Sequence, residues 1–290
     1  MHEFLKEKLI ESNYSVNVID NIINGLACDK HASFRINRNK TSKEEIINIL
    51  DDKKIHYELN DEFKDAIILT DKVTKNGVTI DKETNTIIED LNIYKDGKIY
   101  MQSLSSMKPV YVLSPKPTEN ILDMCAAPGG KTTMIASITN NKANVTAIEL
   151  HKDRYERLLF NIKTQGANVY AMQKNAIDLD ENLKFDKILL DAPCTGSGTF
   201  DLQNENYLKY FTNVLIEKVT KAQQKLILKA SKLLRKDGIF VYSTCSLLKK
   251  ENEDMVSFAK NKGFKLDEDI IKIMPNEYFE GFFIARFIKE

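Results

Sequence analysis

The sequence predicts an α/β fold built on a parallel sheet and preceded by a smaller α+β unit. From Pro109 onward, short buried strands alternate with amphipathic helices, which is typical of a parallel sheet covered by helices on both faces. Before Pro109 the elements are shorter and follow one another in mixed order. At 290 residues the chain is long enough for two domains, which we place at residues 1–108 and 109–290.

The N-terminal unit is expected to contain helices and strands in mixed order. Ser42 and Glu45 form a capping box in front of a periodic apolar run, so a helix should begin there. Segment 93–101 carries the pair Asp96-Gly97 between two apolar stretches, which predicts a β-hairpin. The other expected elements are helices at 3–11 and 16–28 and strands at 34–37, 55–59 and 66–70.

The second domain supplies five predicted strands, each a short apolar run bounded by polar or turn-forming residues. The strands are expected at 119–124, 144–150, 168–173, 186–192 and 238–244, and helices at 132–139, 154–164 and 213–234. Ligands of parallel sheets bind at the carboxyl ends of the strands. Every informative motif of this chain follows a predicted strand, so one crevice is expected to receive them all.

Composition and charge exclude several classes of protein. No apolar run approaches the roughly 20 residues of a membrane helix, and the first residues contain no continuous apolar segment, so we expect a cytoplasmic protein without a secretory signal. The four cysteines show no C-x-x-C pair and no histidine at zinc-finger spacing, so no metal site is expected.

Segment 30–43 is the one basic stretch that could bind a polyanion. Lys+Arg and Asp+Glu balance at 42 each, so the whole-chain charge favours no such partner. A solvated strand and loop on a lysine-rich protein is the alternative interpretation of this segment. Its candidate nucleic-acid contacts are Lys30, Arg35, Arg38 and Lys40.

Loop 125–131, with the sequence CAAPGGK, stands between the first strand of the second domain and its helix. A P-loop requires glycine five positions before Gly130, where this chain has Cys125, and a G-x-G-x-x-G fingerprint is absent as well. Glu149 ends the next strand, where an acid can accept hydrogen bonds from both hydroxyls of a ribose. The pattern favours a nucleoside cofactor without a triphosphate, and a purely structural turn stays open as the alternative.

Three motifs carry a resemblance to a known family. Segments DMCAAPGGKTT (123–133), DAPCTGSGT (191–199) and YSTCSLLKKENE (242–253) occur in the order and roughly at the spacing of the NOL1/NOP2/Sun RNA cytosine-5 methyltransferases. The chain resembles this family from about residue 105 onward. The resemblance implies a Rossmann-like, seven-stranded S-adenosylmethionine-dependent methyltransferase domain, preceded by a small α+β RNA-binding domain.

The resemblance also implies a set of residues that bind S-adenosyl-L-methionine. Glu149 would lie at the ribose, Asn175 near the adenine and Asp191 near the methionine end. Glu149 stands where the family usually has Asp, and Asn175 where Asp is frequent. The implied cofactor contacts are Cys125, Ala126, Ala127, Pro128, Gly129, Gly130, Lys131, Glu149, Arg154, Asn175 and Asp191.

Two cysteines suit the chemistry that the resemblance implies. Carbon 5 of cytosine is a poor nucleophile, and addition of a thiolate at carbon 6 activates it. By the family's pattern Cys245 is the nucleophile and Cys194 assists product release, although either cysteine alone could be a small buried hydrophobic residue. Asp191 would activate the cytosine, and Lys131 would steady that carboxylate or the flipped nucleotide.

RNA is the partner that the resemblance implies. A base must leave its stack to reach such a crevice, which favours single-stranded or loop RNA. Family analogy favours ribosomal RNA over transfer RNA, with partly assembled ribosomal particles as one form of the substrate. The alternatives are a non-catalytic RNA-binding or ribosome-assembly factor, and a methyltransferase with another substrate such as DNA cytosine or a protein side chain. The additional TCS cysteine speaks against DNA, because the DNA enzymes place their nucleophile in the proline-cysteine motif.

Overall fold

A computed structural model describes residues 2–70, 88, 91–202 and 209–290. The helices are α1 (Glu3–Glu11), α2 (Val16–Ala27), α3 (Lys43–Asp52), α4 (Asn92–Lys95), α5 (Leu104–Leu113), α6 (Gly130–Ile138), α7 (Lys152–Gln165), α8 (Asn213–Leu233) and α9 (Glu253–Lys260). The strands are β1 (Ser33–Ile36), β2 (Tyr57–Leu59), β3 (Ala66–Leu69), β4 (Ile99–Met101), β5 (Asn120–Asp123), β6 (Asn144–Glu149), β7 (Val169–Gln173), β8 (Phe185–Asp191), β9 (Leu234–Thr244), β10 (Phe264–Leu266), β11 (Ile271–Ile273) and β12 (Phe282–Lys289). Within these described residues, no helix is long and apolar enough to span a membrane.

The N-terminal unit contains a four-stranded antiparallel sheet in the order β2-β3-β1-β4. Its three strands predicted from the sequence are present, and the predicted helices α1 and α2 end within one residue of their expected bounds. The helix start at Ser42 is also confirmed, because Ser42 Oγ accepts a hydrogen bond from Glu45 N–H at 3.2 Å, but the Glu45 carboxylate accepts from Thr41 and Lys98 and does not complete a capping box.

The predicted hairpin at 93–101 is wrong. Its first half belongs to helix α4, and its second half, β4, pairs with β1. Gly97 adopts φ +69°, and the N–H groups of Gly97 and Lys98 donate to the carbonyls of Tyr94 and Ile93. This is a Schellman motif, so the Asp96-Gly97 pair ends a short helix instead of joining two strands.

Helix α5 lies across the domain boundary that we placed between residues 108 and 109. Ser103 caps this helix by accepting a hydrogen bond from Ser106 N–H, and Pro109 lies inside it. The apolar side of α5 packs under the main sheet through Leu104, Met107 and Val110. The helix therefore connects the two sheets and belongs to the core of the second one.

The main sheet has the strand order β10-β12-β9-β8-β5-β6-β7, and β11 pairs with β12 beside this path. Neighbouring strands from β9 to β7 are parallel, whereas β12 is antiparallel to β9. Alternate residues of each strand fill the cores on opposite faces. Leu122 and Ile188 belong to one core with α8 and α9, and Ile121 and Leu189 belong to the other with α5 and α6.

Arg35 joins the N-terminal sheet to the second domain. Its side chain is only 1% exposed and lies over the ring of Tyr100. The guanidinium donates to Gln102 Oε1 at 2.9 Å and to Thr133 Oγ1 at 2.7 Å. Burial lowers the pKa of Arg35 to about 10, which leaves it charged at neutral pH. Arg35 cannot contact RNA in this arrangement, and the prediction that it does so is wrong.

Replacement of Arg35 should destabilise the fold far more than replacement of its exposed neighbour. Arg35→Ala removes buried hydrogen bonds and leaves a cavity, so we expect the free energy of unfolding to fall by about 3 kcal/mol. Arg38 forms an exposed ion pair with Asp65, and Arg38→Ala should cost less than about 1 kcal/mol. Urea denaturation of both variants measures the difference. Equal losses would contradict the structural role of Arg35.

Candidate active site

The carboxyl ends of four strands bring the predicted site residues to one edge of the main sheet. Strands β5, β6 and β8 are parallel neighbours that end at Asp123, Glu149 and Asp191. Asp191 is paired in register with Ser243 of β9, and Cys245 follows this strand directly. The expectation that the motifs share one crevice is thereby confirmed.

Loop 125–131 is held tightly at this edge. Ala126 N–H donates to Ile148 O at 2.9 Å, which ties the loop to β6. Gly129 adopts φ +109° at the start of α6, and a Cβ atom there would lie 3.0 Å from the Leu158 side chain. The position therefore favours glycine both for its backbone conformation and for the close approach of α7.

A cavity of about 730 Å³ opens beside β6 and is lined by Cys125, Glu149, Arg154, Asn175 and Asp191. Glu149 is 3% exposed, and its Oε1 accepts from His151 N–H at 2.9 Å. Arg154 Nε lies 3.7 Å from Glu149 Oε2, and its Nη2 donates to Ala127 O at 2.8 Å. Asn175 Oδ1 accepts from Ile177 N–H, which begins a short 3-10 turn at the cavity wall. Glu149 thus keeps acceptor capacity toward the cavity.

Lys131 and Asp191 form an ion pair with a separation of 2.7 Å between Nζ and Oδ2. Lys131 Nζ also donates to Ser106 Oγ, and Asp191 Oδ1 accepts from Ser243 Oγ at 2.8 Å. Burial lowers the pKa of Lys131, but the Asp191 carboxylate more than offsets this, and the pKa is raised above its usual value. Lys131 is therefore a fixed cation in the crevice.

The sulfur atoms of Cys194 and Cys245 lie 3.2 Å apart, and both cysteines are free thiols. The hydrogen bond with Cys245, together with burial, raises the pKa of Cys194 well above its usual value. Cys194 is therefore protonated, and its thiol can donate toward the sulfur of Cys245. Burial also raises the pKa of Cys125, which suits a packing residue and not a nucleophile.

A second cavity, of about 340 Å³, is also lined by residues of loop 125–131. The N-terminal unit contributes Tyr100 and Gln102 to its wall, and the second domain contributes Lys131 and Phe282. The two cavities share three lining residues, which are Cys125, Asp191 and Cys245. Of the remaining loop residues, Ala126, Pro128 and Gly130 line the second cavity, whereas Ala127 and Gly129 line neither.

Two buried carboxylates in the site were missed by the sequence analysis. Asp123 is 1% exposed, and burial raises its pKa to about 6. Its Oδ2 accepts from Thr132 Oγ1, while Oδ1 accepts no hydrogen bond from the described residues. Glu251 accepts hydrogen bonds from Thr195 and Ser246, which follow Cys194 and Cys245 in the two loops that carry these cysteines. Both acids were visible in the quoted motifs, but their burial was not.

The basic segment makes mostly internal contacts. Lys40 Nζ donates to the carbonyls of Asp96 and Thr164, and Lys30 Nζ donates to Gly25 O and Asn276 O. An RNA role for Lys30, Arg38 and Lys40 stays a prediction. Among the residues that the structure describes, no cluster of three or more His, Cys, Asp or Glu side chains is placed to hold a metal ion.

Comparison with known proteins assigns this architecture to a group of RNA methyltransferases. The chain is 40% identical over 229 residues to the tRNA (cytosine(72)-C(5))-methyltransferase of Pyrococcus horikoshii, which covers 73% of this chain and 58% of that protein. It is 36% identical over 216 residues to ribosomal RNA small subunit methyltransferase F of Psychromonas ingrahamii, covering 65% and 44%. The chain thus spans about half the length of the curated relatives it matches.

A solved structure and a family model complete the comparison. The crystal structure of NSun6 from Pyrococcus horikoshii with SFG superposes with a TM-score of 0.81 at 27% identity, covering 93% of this chain and 94% of that one. This confirms the expected methyltransferase fold. The model of the family described as 16S rRNA methyltransferase RsmB/F matches residues 110–288. Since that match spans more than half of the chain, the protein belongs to this family, and its resemblance to the NOL1/NOP2/Sun methyltransferases is confirmed.

Proposed function

We propose that this protein transfers a methyl group from S-adenosyl-L-methionine to carbon 5 of a cytosine in RNA, through a covalent bond between Cys245 and carbon 6. One observation carries the proposal. Cys245 lies where the two cavities meet, with Cys194 3.2 Å away and Asp191 beside it. A nucleophile, a second thiol and a fixed carboxylate thus surround one point that both a cofactor and a base can reach.

The residues around the larger cavity fit a nucleoside cofactor. Glu149 is buried, ends a strand and keeps acceptor capacity on Oε2, as a residue that binds two ribose hydroxyls should. Asp123, at the wall of the adjoining smaller cavity, has a buried oxygen, Oδ1, without a hydrogen bond from the described residues, and a cationic group would stabilise it. When bound, S-adenosylmethionine would supply an activated methyl group on a sulfonium.

The chemistry of the protein itself would centre on the two cysteines. Sγ of Cys245 would form a bond to carbon 6, and the displaced electron pair would enrich carbon 5 for methylation. After methylation a water molecule acting as base would take the proton from carbon 5, the electron pair of that C–H bond would reform the ring double bond, and the bond between carbon 6 and Cys245 would break with its electrons leaving on sulfur. Cys194, protonated and in contact with Cys245, is placed to protonate the departing sulfur.

Asp191 and Lys131 would orient the base in the smaller cavity. Asp191 is fixed by Lys131 on one oxygen and by Ser243 on the other, so its position does not depend on the substrate. Such a carboxylate can hold a proton against ring nitrogen 3 of cytosine, which makes carbon 6 more electrophilic. Lys131 would stabilise negative charge on the base or on its phosphate.

Two RNA classes are candidates for the substrate. The family model is described for 16S rRNA, which favours ribosomal RNA, free or in a partly assembled particle. The relative at 40% identity is named for tRNA, which favours a tRNA cytosine. Bisulfite sequencing of both RNA classes, in cells with and without the gene and rescued by wild type or Cys245→Ala, tests the proposal. Methylation that wild type restores and Cys245→Ala does not is expected, and no change at any cytosine would overturn it.

The two cysteine variants should fail at different steps. Cys245→Ala cannot form the bond to carbon 6, so no covalent protein–RNA complex should appear. Cys194→Ala should form that bond but release product slowly, so the complex should accumulate. Denaturing gels of reactions with substrate RNA and S-adenosylmethionine distinguish the two. Cys28→Ala is the control, because it removes a thiol at the end of α2, distant in sequence from both cysteines. A complex formed by Cys245→Ala would identify another nucleophile.

Glu149 should determine cofactor affinity. Glu149→Ala removes the acceptor for the ribose hydroxyls, so the Kd for S-adenosylmethionine should rise at least about tenfold, corresponding to ~1.4 kcal/mol. Isothermal titration calorimetry measures this without any RNA. Glu156→Ala, an exposed acid on α7, is the matched control and should bind as wild type does. An unchanged Kd for Glu149→Ala would place the ribose elsewhere.

A row of lysines on α8 is a better RNA surface than the buried Arg35. Lys218, Lys221 and Lys225 are exposed, line the larger cavity and have no ion-pair partner among the described residues. Their glutamine triple variant should weaken RNA binding and reduce the slope of log Kd against log salt by up to about three. Glutamine at the exposed Lys260, Lys262 and Lys265 is the control. An unchanged slope in the α8 variant would remove this surface from the proposal.

A further inference from the structure

Glu251 is a fully buried carboxylate to which the proposed mechanism gives no role. It is 0% exposed and lies in the turn between β9 and α9. Its main chain is fixed as well, because Tyr242 donates its hydroxyl to Glu251 O at 2.6 Å. Burying an acid is costly unless donors surround it, so a specific arrangement of donors must stabilise this one.

The donors to Glu251 come from the two cysteine loops. Thr195, the residue after Cys194, donates its N–H to Oε2 at 2.8 Å and its hydroxyl to Oε1 at 2.6 Å. Ser246, the residue after Cys245, donates its hydroxyl to Oε1 at 2.7 Å. One carboxylate therefore accepts from the residue that follows each cysteine. Gln223 on α8 is the third residue that donates to this carboxylate, from its side-chain amide to Oε2 at 3.4 Å.

We propose that Glu251 is a positioning residue that holds Cys194 and Cys245 at their 3.2 Å separation. This inference rests on the proposed function, because that separation matters only if both thiols serve one reaction. Glu251 does not reach the cavities itself. It acts on the reaction through the two loops.

The charge of Glu251 acts on Cys194 in addition. Its hydrogen bond with Cys245 and burial are the main causes of the raised pKa of Cys194, and the negative charge of Glu251 raises it further. The carboxylate would thereby help to keep Cys194 protonated, ready to donate to the departing sulfur of Cys245. Geometry and charge of Glu251 can be tested separately, because glutamine preserves the shape and removes the charge, while the hydroxyls of Thr195 and Ser246 can rotate to accept from its amide nitrogen.

The first test measures the geometry of the thiol pair and needs no RNA. Phenylarsine oxide bridges two adjacent thiols, forming two arsenic–sulfur bonds and releasing one water, and the bridged peptides can be identified by mass spectrometry. Glu251→Ala, which unties the loops, should bind the arsenical at least about tenfold more weakly than wild type. Glu251→Gln should bind it as wild type does, because its amide can face the hydroxyls of Thr195 and Ser246 with its nitrogen and the N–H donors with its oxygen.

The second test measures the charge effect. In Glu251→Gln the pH profile for alkylation of Cys194 by iodoacetamide should shift to lower pH by about half a pKa unit. Alkylation at pH 8 should then be about threefold faster than in wild type. Asp254→Asn removes a negative charge three residues farther along the chain that lies in an exposed ion pair, and it should leave the profile unchanged. In methyl transfer, Glu251→Ala should lose kcat while KM for RNA stays within about twofold.

The outcomes separate this inference from the proposed function. Wild-type arsenical affinity in Glu251→Ala, together with an unchanged alkylation profile in Glu251→Gln, would reduce Glu251 to a folding role and overturn the inference. If Glu251→Ala does not fold, the alkylation profile of Glu251→Gln decides. If wild type methylates no cytosine, the proposed function fails, but both thiol measurements still decide whether Glu251 positions the pair.

Discussion

The ion pair between Lys131 and Asp191 connects three parts of the molecule that are distant in sequence. Lys131 lies in the first turn of α6, and Asp191 ends β8. Ser106 of α5 accepts a further hydrogen bond from Lys131 Nζ. The pair is only partly exposed, and such a pair stabilises a fold when its remaining hydrogen bonds are satisfied, as they are here by Ser243 at the second oxygen of Asp191. The cofactor loop, the sheet and the segment that leads from the N-terminal unit are thereby fixed relative to one another.

The crevice beside this ion pair contains two cavities. Lys131 lines the smaller one, next to the N-terminal unit, and contacts Asp191, which lines both. They meet only at Cys125, Asp191 and Cys245. The parallel pairing of β8 with β9 aligns Asp191 with Ser243, and this places both cysteine loops at the junction. The proposed reaction would take place at this junction, which both cavities reach.

The parallel sheet and most of its site residues were predictable because both depend on short-range patterns. A buried strand is visible as an apolar run, and the residue that follows it must lie at the carboxyl edge of the sheet. The placement of Cys245, Asp191 and Glu149 at this edge was predicted in this way, whereas the roles of Cys245 and Asp191 were taken from the family resemblance. The role of Glu251 was not, because it depends on donors that lie 56 and 5 residues away along the chain, at Thr195 and Ser246.

The errors in the N-terminal unit have the same origin. Asp96-Gly97 suits a hairpin turn and a helix end equally well, and here the N–H groups of Gly97 and Lys98 donate to the last carbonyls of α4, those of Tyr94 and Ile93. Arg35 was assigned to an exposed basic patch by its neighbours in sequence, yet strand geometry turns it toward Thr133 on the opposite domain. This buried cation bonds to the first turn of α6 and thereby ties the N-terminal sheet to the helix that follows loop 125–131.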